Sequence, residues 1–159
     1  MFLNKRKAIF LTSILSLVFL LIFDHVKSQE LKVVDGDTIH LDGEKIRFTG
    51  IDTPELKQTC IQGEAKDNCG IKAKQILIDK IGNYTVKCIS EGKDQYKRTL
   101  AECFVNNDSL SSYLVRSGYA FAYRRYSDKF ISDEDYARVN KIGMWSMKFD
   151  YPWDYRKKN

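Results

Sequence analysis

The chain has 159 residues, of which 26 are lysine or arginine and 21 aspartate or glutamate, and its formal net charge is +5. The first 28 residues carry four of the bases and one of the acids, so the remainder is only slightly basic and bulk charge gives little support for a nucleic-acid partner. The four cysteines lack the CxxC spacing of zinc knuckles, and His40 is the one histidine after residue 28, which argues against a zinc site.

The N-terminal segment has the order of a secretory signal. Three basic residues at 5–7 precede an apolar run at 8–23, and the residues ending at Ser28 suit a signal peptidase. We therefore expect a signal peptide at 1–28, a single domain at 29–159, and an exported protein that is periplasmic or secreted. The apolar run is shorter than the roughly 20 residues that cross a bilayer as a helix. An uncleaved N-terminal anchor, as the only contact with a membrane, is the alternative.

The first part of the domain has the pattern of β-strands. Residues 31–41 are mostly β-branched or apolar and predict a strand with a bulge or kink at Gly36. Asp42-Gly43 is a strong signal for a two-residue hairpin. Residues 45–51 alternate between apolar and polar side chains and predict the second strand. Pro54 excludes the following residues from a central strand, so the chain turns there.

Helices and strands alternate in the rest of the domain. The pattern predicts a helix over 69–81, strands over 84–90 and 98–105, a short helix between Asp108 and Gly118, and a last helix that begins at a capping box at Ser132 and runs toward Gly143. Two or three strands, a helix, two strands and more helices favour an α+β, mainly β fold. We expect a five-stranded barrel of the OB type with about three helices, after the signal segment.

Acidic residues are dense between residues 34 and 55, where Asp35, Asp37, Asp42, Asp52 and Glu55 occur together. Asp35 and Asp42 each precede a glycine, and taken alone they are typical of ordinary turns. The whole cluster, without a histidine, favours a hard cation such as Ca²⁺. Asp37 and Asp52 are the expected ligands, and a backbone carbonyl after Asp52 would complete the set.

Two arginines and one glutamate suit the chemistry of a phosphodiester near such a cation. Arg47 lies in the second strand and Arg98 begins a later one, and guanidinium groups stabilise the charge that gathers on phosphoryl oxygens. Glu55 follows the proposed metal loop, where it can orient or deprotonate an attacking water. Each arginine taken alone is equally typical of a surface strand residue.

These motifs together resemble the staphylococcal nuclease (thermonuclease) family. The resemblance covers most of residues 31–146 and rests on VDGDT at 34–38, Arg47, GIDTPE at 50–55, YKRTLA at 96–101, SGYA at 117–120 and GMW at 143–145. It implies an OB barrel with three helices that cleaves single-stranded DNA and RNA and leaves 3′-phosphates. By position, it implies Ca²⁺ ligands at Asp37, Asp52 and the Thr53 carbonyl, phosphate contacts from Arg47 and Arg98, a general base at Glu55, and substrate contacts from Tyr96 and Tyr123.

Two features depart from the resemblance or complicate it. The best-known member of the family has no cysteines, whereas this chain has four, and we expect the local pairs Cys60–Cys69 and Cys88–Cys103 because an even count in an exported domain predicts disulfides. A tight turn at Asp42-Gly43 places Thr38 opposite Arg47 and turns Asp37 to the other face of the sheet. A bulge near Asp37 or a longer turn would remove this conflict.

The sequence therefore predicts an exported, Ca²⁺-dependent phosphodiesterase of the endonuclease type. Water oriented by Glu55 attacks a phosphodiester of DNA or RNA, and the products carry a 3′-phosphate and a 5′-hydroxyl. The expected partner is a single-stranded nucleic acid, with no protein partner and a monomeric chain. An OB barrel that binds single strands by stacking without cleaving them is the alternative. A structural Ca²⁺ domain is a third, although it leaves Arg47 and Arg98 unexplained.

Overall fold

The structure is a computed structural model that describes residues 28–159. The predicted signal segment lies outside the described residues apart from Ser28. Within residues 28–159 we find no helix with the length and apolar character needed to span a bilayer.

The domain contains strands in both halves and helices mainly in the second. The strands are β1 Leu31–Val33, β2 Thr38–Leu41, β3 Glu44–Phe48, β4 Ile51–Asp52, β5 Thr59–Gln62, β6 Ala65–Asn68, β7 Lys87–Lys93, β8 Thr99–Val105, β9 Asp108–Ser109 and β10 Phe121–Ala122. The helices are α1 Cys69–Ile81, α2 Leu110–Arg116, α3 Ile131–Val139 and α4 Pro152–Lys158, with a 3₁₀ helix at Gly143–Ser146.

The main sheet confirms the predicted α+β, mainly β class. Its strand order is β1-β2-β3-β8-β7, with β9 paired to β8. The β3–β8 pair is parallel and the other pairs are antiparallel. Among residues 28–159 the pairing does not continue from β7 back to β1. This agrees with an OB fold, which is a partly open five-stranded barrel. Residues 28–159 contain four α-helices, one more than the three expected.

The prediction of one bulged strand over 31–41 was wrong. Residues 35–37 form a turn, and β1 and β2 on either side of it pair with each other, with Leu31 opposite Leu41. Within the turn the backbone N–H of Asp37 donates to the Asp35 carboxylate at 3.1 Å. Gly36 is required there because a Cβ would lie 2.9 Å from the Thr53 side chain. Strand alternation therefore does not set the direction of the Asp37 side chain.

The predicted Asp42-Gly43 hairpin is confirmed. Both residues have positive φ, 50° and 84°, as the favoured two-residue hairpin turn requires. Thr38 lies opposite Arg47, as the tight turn predicts. The conflict over Asp37 is removed by the turn that precedes β2, and neither a bulge nor a longer hairpin is present at this place.

Helix α1 has the predicted bounds and packs one face into the core. The Asn68 side chain caps it by accepting from the backbone N–H of Ile71 at 2.9 Å. Gly82, with a φ of 51°, ends it. Its buried face carries Ala73, Leu77 and Ile81, and Leu77 and Ile81 belong to the same buried cluster as the core residues of β2 and β3. The N-terminus of α1 lies beside the chain that follows β4, where Gly70 packs against the Glu55 backbone.

Other boundaries differ from the predicted ones. Ser109 rather than Asp108 caps α2, through a hydrogen bond from the Ser112 N–H. Helix α3 begins at Ile131 without a side-chain cap and ends at Val139, so the capping box at Ser132 was wrong. Further elements had no sequence prediction, among them the β5–β6 hairpin, the short strands β9 and β10, helix α4 and the 3₁₀ helix.

Both expected disulfides are present. Cys60 in β5 is joined to Cys69, the first residue of α1, and the Cα atoms are 5.9 Å apart. Cys88 and Cys103 lie directly opposite each other in the β7–β8 pair, with Cα atoms 4.0 Å apart. The first disulfide fixes the β5–β6 hairpin to the helix, and the second cross-links two adjacent strands.

Replacement of both Cys88 and Cys103 by serine tests the second disulfide. The cysteines are 15 residues apart, and the chain-entropy account gives about 3 kcal/mol for a loop of that size. We expect the free energy of unfolding to fall by about this amount in a denaturant titration. Cys60 and Cys69 are 9 residues apart, and their replacement by serine should lower the free energy of unfolding by about 2.5 kcal/mol. Unchanged stability of the double-serine variants relative to the oxidised parent would contradict the prediction.

Candidate active site

Three segments bring one arginine between two buried aspartates. Asp37 lies in the turn before β2, Arg47 in β3 and Asp52 in β4. Arg47 Nη1 donates to Asp37 Oδ1 at 2.5 Å, and Nη2 donates to Asp52 Oδ1 at 2.9 Å. The aspartate side chains are only 3% and 1% exposed, whereas Arg47 is 21% exposed and reaches the surface. The structure therefore brings together the predicted metal ligands and the first predicted arginine.

The second oxygen of Asp37 holds the loop after β4. It accepts the backbone N–H of Thr53 at 3.1 Å, so the predicted third ligand lies next to the first. Burial raises the pKa of Asp37 to about 7, although Arg47 and the Thr53 N–H lower it. The pKa of Arg47 is raised, because the two aspartates outweigh the lowering caused by burial. A bound cation would favour the ionised form of Asp37.

A second guanidinium, which the sequence did not predict, contacts the same group. Arg156 of α4 donates from Nη2 to Asp52 Oδ2 at 2.6 Å and from Nη1 to Glu55 Oε1 at 2.7 Å. Burial lowers the pKa of Arg156, but the hydrogen bonds to these carboxylates raise it more. Local patterns contain no signal for this contact, since Arg156 and Asp52 are 104 residues apart.

Glu55 lies in a loop whose backbone contacts two neighbouring segments. Its side chain is 43% exposed. Fully buried Gln58 accepts the Glu55 backbone N–H at 3.2 Å and donates to the Asp150 carbonyl at 2.6 Å. Gly70 packs so closely that a Cβ there would lie 1.8 Å from the Glu55 carbonyl oxygen. The first turn of α1 and the segment before α4 thus fix the backbone that carries the predicted base.

Arg98 is not part of this group. It immediately precedes β8 and donates from Nε to Asp94 at 2.7 Å. Among residues 28–159 it forms no ion pair with Asp37, Asp52 or Glu55. Its guanidinium also lies 5.6 Å from the ring of Tyr96, which is 72% exposed. The predicted phosphate contact from Arg98 and substrate contact from Tyr96 stay predictions.

Tyr123 lies against helix α4. Its ring stacks on Trp153, with centroids 5.7 Å apart and an interplanar angle of 23°. Trp153 in turn stacks on Tyr151 at 4.7 Å. Because Trp153 is three positions before Arg156, both side chains project from neighbouring turns of the helix. The predicted substrate-binding tyrosine is therefore close in the fold to the carboxylate group, although its role stays a prediction.

The carboxylates outnumber the cations in this group, and this balance suits a divalent ion. Asp35, Asp37, Asp52 and Glu55 are accompanied by two guanidinium groups, which leaves a surplus of negative charge. Among residues 28–159 no three His, Cys, Asp or Glu side chains have metal-binding geometry. Asp37 and Asp52 supply hard oxygen donors, and backbone carbonyls or water would have to complete the coordination. The donor chemistry fits a hard divalent cation.

One known protein family matches a large part of this chain. The family described as "Staphylococcal nuclease homologue" matches residues 45–147, which is more than half of the chain. The chain belongs to the staphylococcal nuclease family. The match includes Arg47, Asp52 and Glu55 of the site. The turn with Asp37 precedes it, and α4 with Arg156 follows it.

Individual relatives of this staphylococcal nuclease homologue are moderately similar. A Haemophilus influenzae protein named as an uncharacterized endonuclease is 30% identical over 123 residues, covering 73% of this chain and 64% of that protein. Endonuclease YncB of Bacillus subtilis is 30% identical over 127 residues, covering 72% and 59%. A probable staphylococcal-like nuclease of Oryza sativa subsp. japonica is 29% identical over 116 residues, covering 71% and 29%. The chain spans less than two thirds of the length of each.

Gly70→Ala tests whether the first turn of α1 holds the Glu55 loop. The added methyl group would collide with the Glu55 carbonyl, and overpacking of this kind costs about 1–3 kcal/mol. We expect a loss of that size in the free energy of unfolding, with NMR chemical-shift changes concentrated in residues 53–58. Lys72→Ala, at an exposed position of the same helix, is the control, and we expect its stability to stay within about 0.5 kcal/mol. Equal free energies of unfolding for the two variants would contradict the inference that the first turn of α1 holds the Glu55 loop.

Proposed function

We propose that this staphylococcal nuclease homologue hydrolyses phosphodiester bonds of single-stranded DNA or RNA as an endonuclease. The observation that carries the proposal is the buried Asp37–Arg47–Asp52 group with Glu55 beside it. A module that only bound nucleic acid would gain nothing from burying two carboxylates on one arginine, since buried ion pairs add little to stability. The names of the relatives agree with the proposal.

We propose Ca²⁺ as the cofactor, held by Asp37, Asp52 and the Thr53 carbonyl. The two carboxylates are the oxygen ligands that Ca²⁺ prefers. When bound, such an ion stabilises negative charge on a phosphoryl oxygen and lowers the pKa of a bound water. Arg47 keeps both aspartates oriented, and its 21% exposed side chain reaches the surface, where it can contact the phosphate.

In the proposed reaction Glu55 orients a water molecule and accepts one of its protons. The water oxygen attacks phosphorus, and the bond from phosphorus to the 5′-oxygen breaks. The 5′-oxygen leaves and takes up a proton, so the products are a 3′-phosphate and a 5′-hydroxyl. Arg47 and Arg98 stabilise the charge on the phosphoryl oxygens. The rings of Tyr96 and Tyr123 stack on bases of the substrate.

Glu55→Gln tests the proposed base. An amide cannot take the proton from water, and loss of a general base costs on the order of 10²–10⁴-fold in rate. We expect this loss in cleavage of labelled single-stranded DNA with Ca²⁺, and full loss for the parent in chelator. Glu64→Gln, at the exposed turn of the β5–β6 hairpin, is the matched control and should cleave normally. Salt-sensitive binding without cleavage by the parent would favour the binding module instead.

We also propose that the protein is exported, to the periplasm or to the medium. Two disulfides persist in oxidising compartments, and the N-terminal segment has the pattern of a signal. Expression of the full chain should give an exported protein that begins at Gln29 and has no free thiol, as measured by N-terminal sequencing and thiol labelling. Retention in the membrane fraction with an intact N-terminus would indicate the anchor, and a reduced cytoplasmic protein would contradict export.

A further inference from the structure

Helix α4 lies after the residues that match the family, yet it contributes directly to the carboxylate group. Arg156 forms a fork whose two nitrogens contact different carboxylates, Asp52 Oδ2 at 2.6 Å and Glu55 Oε1 at 2.7 Å. Nη1 is also 3.2 Å from Asp52 Oδ1. A lysine ammonium cannot reproduce this fork, because its three donors leave from one nitrogen.

The position of Arg156 is fixed by contacts that do not involve its own guanidinium. Pro152 is buried at the start of the helix, and Trp153 is stacked between Tyr151 and Tyr123. Buried Gln58 binds the Asp150 carbonyl just before the helix. The Tyr155 hydroxyl of the helix also donates to the Lys57 carbonyl at 3.3 Å. Packing and these hydrogen bonds therefore anchor the helix, so a change at Arg156 alone should leave it docked.

The carboxylate of Glu55 has little else to hold it. Its side chain is 43% exposed, and among residues 28–159 the Arg156 guanidinium is the side-chain group with which that carboxylate forms a hydrogen bond. Glutamate has several rotatable bonds, and a free side chain of this kind samples many conformers. A base must be held within a fraction of an ångström of the productive geometry to be effective.

We propose that Arg156 is a positioning residue that fixes the Glu55 carboxylate relative to Asp52. It acts through Glu55 and is distinct from the arginine that lies between the two aspartates. The inference rests on the proposed nuclease function and extends it beyond the residues that match the family. This role of Arg156 makes helix α4 part of the active site.

Cation affinity separates positioning from a structural role. A guanidinium beside Asp52 repels a divalent cation, so its removal should leave Ca²⁺ binding unchanged or stronger. A residue needed only for folding would instead weaken cation binding and rate together. The expected signature of Arg156→Ala is therefore slower chemistry with undiminished Ca²⁺ affinity.

The experiment compares Arg156→Ala and Arg156→Lys with Lys157→Ala in the full chain. Lys157 pairs with Asp154 on the same helix, so the control removes the same charge away from Glu55. Single-turnover cleavage of labelled single-stranded DNA at saturating Ca²⁺ should fall roughly 30- to 100-fold in Arg156→Ala, as expected for a misplaced group. Lysine should restore only part of the rate, and the control should match the parent. Calorimetric titration with Ca²⁺ should give an affinity no weaker than that of the control.

A double-mutant cycle shows whether Arg156 acts through Glu55. In the Glu55→Gln background the Arg156→Ala change should cost less than about 3-fold, because the group that it positions is gone. Full additivity, an unchanged rate in Arg156→Ala, or a faster rate with tighter Ca²⁺ binding would each overturn the proposal. The last result would make Arg156 an internal competitor of the cation. Absence of cleavage by the parent would instead overturn the proposed function itself, and positioning in catalysis would fall with it.

Discussion

The fold of the active site depends on one half-buried guanidinium. Arg47 forms ion pairs with both Asp37 and Asp52, whose side chains are almost fully buried. Removing one partner of such a buried group leaves an unpaired charge and costs about 3–5 kcal/mol. Because the three residues come from a turn and two different strands, the same ion pairs that allow the carboxylates to be buried also fix these segments relative to one another.

Backbone contacts then place the surrounding loops within close limits. Gly36 allows the first turn to approach Thr53, and Gly70 allows the start of α1 to approach the Glu55 carbonyl. The Thr53 N–H in turn binds Asp37. Side chains larger than hydrogen at the two glycines would separate elements that the carboxylate group needs close together. The geometry of the site is thus a consequence of packing between turns as much as of the sheet.

The C-terminal helix adds a second counter-charge from outside the sheet. Aromatic stacking around Trp153 holds the helix against the chain near Tyr123. This packing allows Arg156 to reach Asp52 and Glu55 with both ends of its fork. Two arginines from opposite parts of the chain therefore share three carboxylates, and the remaining negative charge is what a divalent cation would neutralise.

The sequence by itself determined the features that depend on near neighbours. Turn chemistry predicted the Asp42-Gly43 hairpin, helical periodicity predicted α1 with its bounds, and proximity predicted both disulfides. Tertiary structure alone decided where side chains meet across the fold. It turned Asp37 toward Arg47 by ending the strand, and it paired Arg98 with Asp94.

The contact of Arg156 with Asp52 and Glu55 is one of the features that only the tertiary structure decided. The residue is separated from Asp52 by 104 positions, and the helix that carries it is held by aromatic packing with distant residues. Local propensities report only on residues a few positions apart, so they contain no information about such a pair. Motifs could therefore identify the residue types of the site, whereas the arrangement of charges around them required the folded chain.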